Sequence, residues 1–437
     1  MLHHLPLFRV QSRGWRVPRF ARVLGLVLLS SLIGLPTASA APAADDADES
    51  PAATQEKKSD TEFTIVPFVG GNSDSGFGGG YIASLARLEP GREPYYYRFE
   101  SAGTMTFAPG EGGGVQIPYV DNYLLFSFPH VVKDRLGIDL RISYTREATL
   151  KYYGVGNAST IPAGLDPSAA YFEYVRVHPT FRASLEYRLR PLVLSFGSSY
   201  TQNILTLTEA GKLETDLEAS PYLRELLGNA QPHGVLDFSV GVAWDSRDDE
   251  TSPTRGLYVT ERLDVTPGTF GEASYQYGRL GTAAHAYLPI ISKDKRLTLA
   301  VRLVSDFLFG DPPFYELPRF DNTSAIGGAK GVRGVPAGRY YGKIKAFGNV
   351  ELRSELFALR IFGEPRRFGL TAFADGGRLW ADYRRNPELD GTGLGLKYGL
   401  GGGLRVASGK TFVLRLDVAW SPDAHPVSGY LLAGHMF

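Results

Sequence analysis

The sequence predicts an all-β fold: a transmembrane antiparallel β-barrel of about 16 strands, with a lumen-inserted loop after strand 11. Three observations predict it. The N-terminus has the order of an export signal, no later stretch has enough consecutive apolar residues for a membrane helix, and apolar residues return at every second position. An exported chain with this pattern is expected in the outer membrane of a bacterium.

Composition limits the kinds of partner and site. The 437 residues include no cysteine, which excludes disulfides and cysteine-based metal sites. Lys and Arg (46) balance Asp and Glu (46), so the chain has no overall basic field for a polyanion and we expect no nucleic-acid partner. The 51 glycines and 24 tyrosines are typical of strands joined by turns.

Residues 1–40 have the features of a signal peptide. Five arginines precede an apolar run at residues 23–35, and the small residues Ala38, Ser39 and Ala40 follow, with cleavage expected after Ala40. The apolar run is about 13 residues, against roughly 20 needed to span a bilayer, which argues against a membrane helix. Residues 41–61 are rich in Ala, Pro and acidic residues and are predicted to form a disordered linker, leaving residues 62–437 for the barrel.

Two segments show the strand alternation clearly. Between residues 136 and 145 the even positions are apolar and the odd positions are small or polar. Between residues 412 and 420 the same alternation places Arg415 and Asp417 on the polar face, where we expect them to pair inside the lumen. A soluble β-sandwich alternates in the same way, but strands of about 10 to 14 residues suit a tilted bilayer crossing better.

Aromatic residues at predicted strand ends are expected to form the interfacial girdles of the barrel. This set comprises Tyr95, Tyr96, Tyr97, Tyr152, Tyr153, Tyr171, Phe172, Trp244, Trp420 and Tyr430. The connections are expected to alternate in length, with both termini in the periplasm and with long outer loops at residues 148–174, 207–234 and 308–341. Residues 213–227 are rich enough in helix formers to predict a short helix in the second of these loops.

Arg333 lies at the centre of a Gly-rich loop, residues 327–342. Such a loop folds tightly and can deliver a guanidinium group into a confined space. Two predicted strands that follow carry Glu351 and Asp375. If both carboxylates face the lumen, charge-assisted hydrogen bonds would lock the loop inside the pore. The alternative for Arg333 is an exposed cation on a surface loop.

The order of these motifs resembles the BamA/TamA superfamily of outer-membrane barrels, also called the bacterial surface antigen domain. The resemblance is carried by the loop residues Val332, Arg333 and Gly334, by Glu351, and by the strand residues Phe373, Asp375 and Gly377. It extends to the turn after the predicted eighth strand, where Asp245, Arg247 and Asp248 are similar to the family's Asp-Thr-Arg-Asp turn. The resemblance covers about residues 62–437.

The resemblance implies that Arg333 anchors the loop and that Glu351 and Asp375 accept its hydrogen bonds. The chain departs from the family pattern in two places. Val335 stands where the family usually has Phe or Tyr, so an aromatic contact at the loop tip is missing or comes from Tyr340 or Tyr341. Only a short linker stands where protein-inserting members have periplasmic POTRA domains, which leads us to interpret the chain as a POTRA-less short member.

We expect no enzyme activity, cofactor or metal. Glu351 and Asp375 resemble paired acid/base carboxylates, but no G-x-S-x-G or H-E-x-x-H motif accompanies them. Asp245, Arg247 and Asp248 have alternating charges, which more often hold a turn than bind a metal.

The resemblance implies a role in inserting or translocating protein or lipid at the outer membrane. The expected partners are outer-membrane lipid and unfolded outer-membrane or secreted proteins. A passive channel plugged by the Arg333 loop is the main alternative, and an outer-membrane lipid hydrolase is a weaker one.

Overall fold

Sixteen long antiparallel strands, numbered β1 to β16 in chain order, form the barrel in the part of the chain that the structure describes. This computed structural model describes residues 60–437 except 90–91, 111–112, 133–134, 168, 292–296, 321–322, 362–363, 409–411 and 424–426. The predicted signal peptide (1–40) and nearly all of the predicted linker (41–61) lie outside the described residues. Within those residues no folded domain besides the barrel and its loops is present.

The strand bounds follow the periodicity of the sequence closely. The strands are β1 (Asp60–Asn72), β2 (Gly76–Glu89), β3 (Arg92–Pro109), β4 (Tyr119–Val132), β5 (Leu136–Lys151), β6 (Glu173–Val177 and Thr180–Leu189), β7 (Leu192–Leu207), β8 (His233–Asp245), β9 (Gly256–Thr266), β10 (Tyr277–Ile291), β11 (Leu297–Gly310), β12 (Ile344–Ile361), β13 (Glu364–Trp380), β14 (Lys397–Ser408), β15 (Phe412–Trp420) and β16 (Ser428–Ala433). The strand number predicted from the sequence is confirmed.

Each strand pairs antiparallel with the next, and β16 returns to β1, which closes the sheet into a barrel. The longest ladder joins β12 to β13, from Ile344 opposite Trp380 to Ile361 opposite Glu364. No helix in the described ranges is long and apolar enough to cross a membrane.

The alternation of faces is as predicted. On β5, Ile142 and Tyr144 are exposed on the outside, whereas Thr145 is buried. On β15, Val418 and Trp420 point outward and Arg415 and Asp417 are buried. Apolar side chains therefore face the hydrocarbon and polar ones face the lumen, the reverse of a soluble protein.

The aromatic girdle is only partly as predicted. Trp244 and Trp420 leave 49% and 48% of their surface exposed, as interfacial residues should. The prediction is wrong for Tyr152, Tyr153, Phe172 and Tyr430, which are buried. The first three belong to the loop after β5, which folds over the barrel mouth, and Tyr430 points into the lumen. Position at a strand end does not reveal which face of the wall an aromatic ring occupies.

The long connections pack on one another at one end of the barrel. The loop after β7 contains two helices, α1 (Lys212–Ala219) and α2 (Pro221–Leu227), in place of the single predicted helix. Ser220 separates them because Pro221 cannot continue α1, and the Ser220 hydroxyl accepts a hydrogen bond from Leu223 N at the start of α2. A third helix, α3 (Pro387–Asp390), follows β13.

These loops bury an apolar cluster that caps the lumen. Its members include Tyr152, Leu213, Leu227, Phe314 and Tyr341, contributed by the loops after β5, β7 and β11. The cap therefore fixes the outer end of the loop that carries Arg333.

Candidate functional site

The loop between β11 and β12, residues 311–343, carries Arg333 into the lumen. Gly334 has φ 91° and lies so close to β15 that a Cβ atom there would stand 2.9 Å from the Trp420 carbonyl carbon. Gly327 has φ 124°, and its Cβ would meet the Pro336 carbonyl oxygen at 2.2 Å. These two positions require glycine, because Gly327 packs against another part of the loop and Gly334 packs against β15, and neither contact leaves room for a side chain.

Arg333 is fully buried and meets three carboxylates. Its Nε and Nη2 donate to the two oxygens of Asp375 at 2.7 and 3.0 Å. Its Nη1 donates to Glu351 at 2.6 Å and to Asp417 at 3.1 Å. The guanidinium also lies over the Phe373 ring, 3.4 Å from its centroid. Bidentate, charge-assisted bonds of this kind fix the direction as well as the position of the arginine.

Phe373, Asp375 and Gly377 share the inner face of β13 and meet successive parts of the loop. Phe373 supports the guanidinium and Asp375 binds it, also accepting the Arg333 backbone N–H at 3.1 Å. A Cβ on Gly377 would stand 2.6 Å from Ile326 Cδ1, so glycine leaves space for the loop.

Asp417 was not predicted as an acceptor of Arg333. The alternation of β15 predicted that Asp417 faces the lumen. Its predicted pairing with Arg415 is confirmed, since Arg415 Nη1 lies 3.3 Å from Asp417 Oδ2. Its contact with Arg333 depends on the curvature of the barrel, which brings β15 opposite the loop. The sequence carries no local signal for that distance.

The apolar side of the loop packs without an aromatic residue at position 335. Val332 and Val335 are buried in a cluster with Ile326, Phe347 and Leu379. The Tyr340 hydroxyl donates to Asp423 at 2.6 Å, and its ring joins the same cluster. Tyr341 instead donates to the Lys151 carbonyl at 2.9 Å in the outer cap. Of the two tyrosines, only Tyr340 packs beside Val335.

The seam between β1 and β16 is the shortest ladder that closes the barrel. Only Gly71 with Leu431 and Asn72 with Tyr430 are in register, whereas β1 and β2 pair at 13 positions. Ser73 N adds a hydrogen bond to the Gly429 carbonyl at 3.0 Å. Residues 62–69 have no strand partner along this edge among the described residues.

The Arg333 loop contacts both sides of that seam. Gly334 N donates to the Tyr430 hydroxyl of β16 at 3.0 Å. Ala337 N donates to Asp74 Oδ1 at 3.1 Å, in the turn that joins β1 to β2. Burial raises the pKa of the Asp74 carboxyl from 3.8 to about 6, against the lowering effect of the Ala337 N–H. The loop therefore links the β1–β2 turn to β16 beside the two register pairs of the seam.

The turn between β8 and β9 is held by its own charges. Asp245 binds Arg247 through two contacts of 2.9 and 2.8 Å, and Arg247 lies over the Tyr258 ring. Asp248 accepts from Thr254 N at 2.9 Å and from Arg255 N at 3.1 Å. These contacts use each of the three predicted residues to shape the turn.

Arg333 and its three carboxylates form buried ion pairs, and these ion pairs hold the loop in the lumen. Glu351 and Asp375 are engaged by Arg333, so neither is placed as a free acid or base. Across the described residues, no three His, Cys, Asp or Glu side chains are grouped to hold a metal ion.

Comparison with solved structures finds the same fold at low sequence identity. BamA from Haemophilus ducreyi lacking POTRA domains 1–3 matches with a TM-score of 0.55 and 15% identity, over 86% of this chain and 70% of that one. CdiB from Escherichia coli matches with a TM-score of 0.51 and 14% identity, over 85% of this chain and 63% of that one. The chain thus spans less than two thirds of the CdiB protein. A search of curated proteins found no match.

Comparison with protein families assigns the barrel to a family. The Omp85 superfamily domain matches residues 121–427, which include β5 to β15, the Arg333 loop and its three acceptors. The resemblance noted in the sequence is thereby confirmed. The chain belongs to the Omp85 superfamily of outer-membrane β-barrels.

Proposed function

We propose that this barrel assists the insertion or translocation of proteins at the bacterial outer membrane. The observation that carries the proposal is the open edge of β1, where residues 62–69 have no strand partner toward β16 in the described structure. An open strand edge presents a row of backbone donors and acceptors that an incoming strand can pair with.

The side chains of this edge favour an apolar partner. Phe63, Ile65 and Val66 are exposed, and residues 61–67 are exposed on both faces of the strand. A strand of a membrane barrel, with one apolar face, would cover these side chains while pairing with the backbone. Outer-membrane lipid is the other partner that apolar side chains at a seam would meet.

The Arg333 loop would control how far the seam opens. Its core is fixed to β12, β13 and β15 by buried ion pairs, whereas it reaches β16 and the β1–β2 turn by one hydrogen bond each. One neutral bond, to Tyr430, and one bond to the Asp74 carboxylate contribute about 2–4 kcal/mol together, a barrier that a competing strand can overcome. The loop would stay in the lumen while the seam separates.

Site-specific photo-crosslinking tests the proposal. A photoreactive amino acid at Ile65, on the open edge, should capture nascent outer-membrane or secreted proteins in cells. The matched control is Leu303 on β11, which is equally exposed and apolar (63% against 59%) but lies on a strand paired along both edges. Equal capture at the two positions would contradict the proposal.

A reversible lock of the seam tests the same proposal without a substrate. Because the chain has no cysteine, Val69→Cys with Ala433→Cys places the only two thiols where the register of β1 and β16 continues. The oxidised variant should lose its effect on the outer-membrane proteome as a depletion strain does, and reductant should restore it. Full activity in the oxidised form would show that the seam need not open.

A further inference from the structure

The first part of the loop between β11 and β12 is held in the lumen by contacts that do not involve Arg333. Residues 314–319 form this part, the loop base. Arg279 of β10 donates from Nη2 to the Glu316 carboxylate at 2.9 Å and to the Glu316 backbone carbonyl at 3.1 Å. Contacts to both groups of one residue fix the backbone of the base as well as the side chain.

Tyr315 attaches the base to two further strands. The Arg176 guanidinium of β6 lies over the Tyr315 ring, 3.8 Å from its centroid. The His233 ring of β8 is nearly parallel to the Tyr315 ring, and His233 Nε2 lies 2.7 Å from the Tyr315 hydroxyl oxygen. All three side chains are buried. A buried ring with a cation on its face and a partner for its hydroxyl has little freedom to move.

A buried ion pair supports the end of the base. Lys345 of β12 lies 2.7 Å from Asp306 of β11, and neither side chain is exposed to solvent. Lys345 Nζ also donates to the Leu317 carbonyl at 3.1 Å. Arg279 reaches the same carboxylate, with Nε and Asp306 Oδ1 3.5 Å apart. Asp306 therefore holds two of the cations that bind the base.

An apolar layer separates the base from the carboxylates that bind Arg333. On the inner face of β12, Phe347 lies between Lys345 and Glu351, which are six positions apart, or about 20 Å along an extended strand. Phe347 packs in the buried cluster that includes Val335. In the described part of the chain, no ion pair joins the charged side chains around the base to those around Arg333. The two groups of contacts can therefore break separately.

We propose that the loop base is a second anchor, independent of Arg333, and that Glu316 is its positioning residue. The base belongs to the cap, because Phe314, Tyr315 and Leu317 are buried in the apolar cluster that covers this end of the lumen. When Arg333 is released, the loop tip, residues 327–336, leaves its place while the base stays and narrows the capped end. The second anchor acts whether or not the seam admits a partner.

Hydrogen exchange in the purified full chain tests whether the two anchors are independent. Glu316→Ala removes the carboxylate that binds Arg279, so exchange should accelerate in residues 314–319, while residues 327–336 keep their protection. Arg333→Ala should have the reverse effect. Acceleration of both segments in either variant would overturn the proposal, as would unchanged exchange of the base in Glu316→Ala.

A control and a milder variant accompany this test. Glu173→Ala is the control, because the Glu173 side chain is as exposed as that of Glu316 (18%) but pairs with Lys151, at 2.7 Å, and not with the loop. It should accelerate neither segment. Tyr315→Phe keeps every charge and removes only the hydroxyl beside His233. It should accelerate the base alone, and it decides the question if Glu316→Ala does not fold.

The double variant Glu316→Ala/Arg333→Ala tests what the second anchor does for closure. Distant sites without shared partners contribute additively to stability, so the midpoint of heat unfolding should fall by the sum of the two single falls. Planar-bilayer conductance should exceed that of Arg333→Ala, because the base no longer narrows the capped end. A double variant that is no less stable and no more conductive than Arg333→Ala would show that Arg333 alone holds the loop.

Discussion

The wall formed by β11 to β15 and the seam between β1 and β16 hold the same loop by different interactions. On the wall, Arg333 meets three buried carboxylates on three strands, 2.6 to 3.1 Å away. At the seam, the loop makes one backbone hydrogen bond to each side, through Tyr430 and Asp74. Separating a buried ion pair leaves unpaired charge in a medium of low dielectric constant, whereas breaking one hydrogen bond costs less free energy.

The wall and the seam therefore have different structural roles. The wall keeps the loop at a fixed place in the lumen, so that the loop is an immobile support. The seam contacts are weak enough to break while the support stays in position. Four substitutions test this difference between wall and seam, and the effect expected on stability decreases from Arg333 to Arg141.

Arg333→Ala should have the largest effect. It leaves Glu351, Asp375 and Asp417 buried without their common partner, which should cost about 3–5 kcal/mol of stability. The barrel should lose its heat-resistant mobility in detergent gels, and planar-bilayer conductance should rise as the loop leaves the lumen. Unchanged heat resistance and unchanged conductance would show that Arg333 does not close the lumen.

Tyr430→Phe should weaken only the seam. It removes the hydroxyl that accepts from Gly334 N and leaves that buried donor unpaired, which should cost about 1–3 kcal/mol locally. Hydrogen exchange should accelerate in β16 and leave β12 and β13 unchanged. Acceleration on the wall as well would mean that seam and wall are one cooperative unit.

Asp74 should make the other seam contact sensitive to pH. Its pKa is raised to about 6, so the folded state binds the proton more tightly than the unfolded chain. The buried turn is therefore most stable below pH 3.8 and loses stability as the pH rises to about 6, because the ionised carboxylate is poorly solvated there. Because Asp74 remains partly accessible, we expect an effect on the order of 1 kcal/mol.

The measurement for Asp74 is seam opening at pH 5 and pH 8, followed by hydrogen exchange in the β1–β2 turn. Asp74→Asn keeps an acceptor for Ala337 N but cannot ionise, so its seam should open equally at both values after correction for intrinsic exchange. A pH response that survives in this variant would assign the response to other groups.

Arg141→Ala should have the smallest effect. Arg141 is on the lumenal face of β5, 3.8 Å from Asp121, and its side chain is 42% exposed. Solvent-accessible pairs of this kind contribute about 0.2–1 kcal/mol. Thermal unfolding of this variant should match the unaltered chain closely, and a loss as large as that of Arg333→Ala would show that burial is not what distinguishes the two arginines.

The seam and the wall also differ in how many of their contacts with the Arg333 loop could be predicted from the sequence. On the wall, Glu351 and Asp375 lie on strands of regular alternation, and a Gly-rich loop with a single central Arg precedes them. Those local patterns were enough to name both as acceptors, and the structure brings both to Arg333. At the seam, nothing in the sequence names Asp74 or Tyr430 as partners of the loop, because each lies far from it along the chain.

Local sequence patterns were sufficient to predict the barrel, its strand number, the two faces of its strands and the family motifs. Each of these depends on local periodicity or on short motifs, which neighbouring residues specify. The three-dimensional structure was needed to show that Asp417 is a third acceptor, that Tyr152 and Tyr430 are buried, that four arginines share three carboxylates and that the seam has two register pairs. Those features depend on how strands far apart in the chain meet when the sheet closes, and closure is a property of the whole barrel.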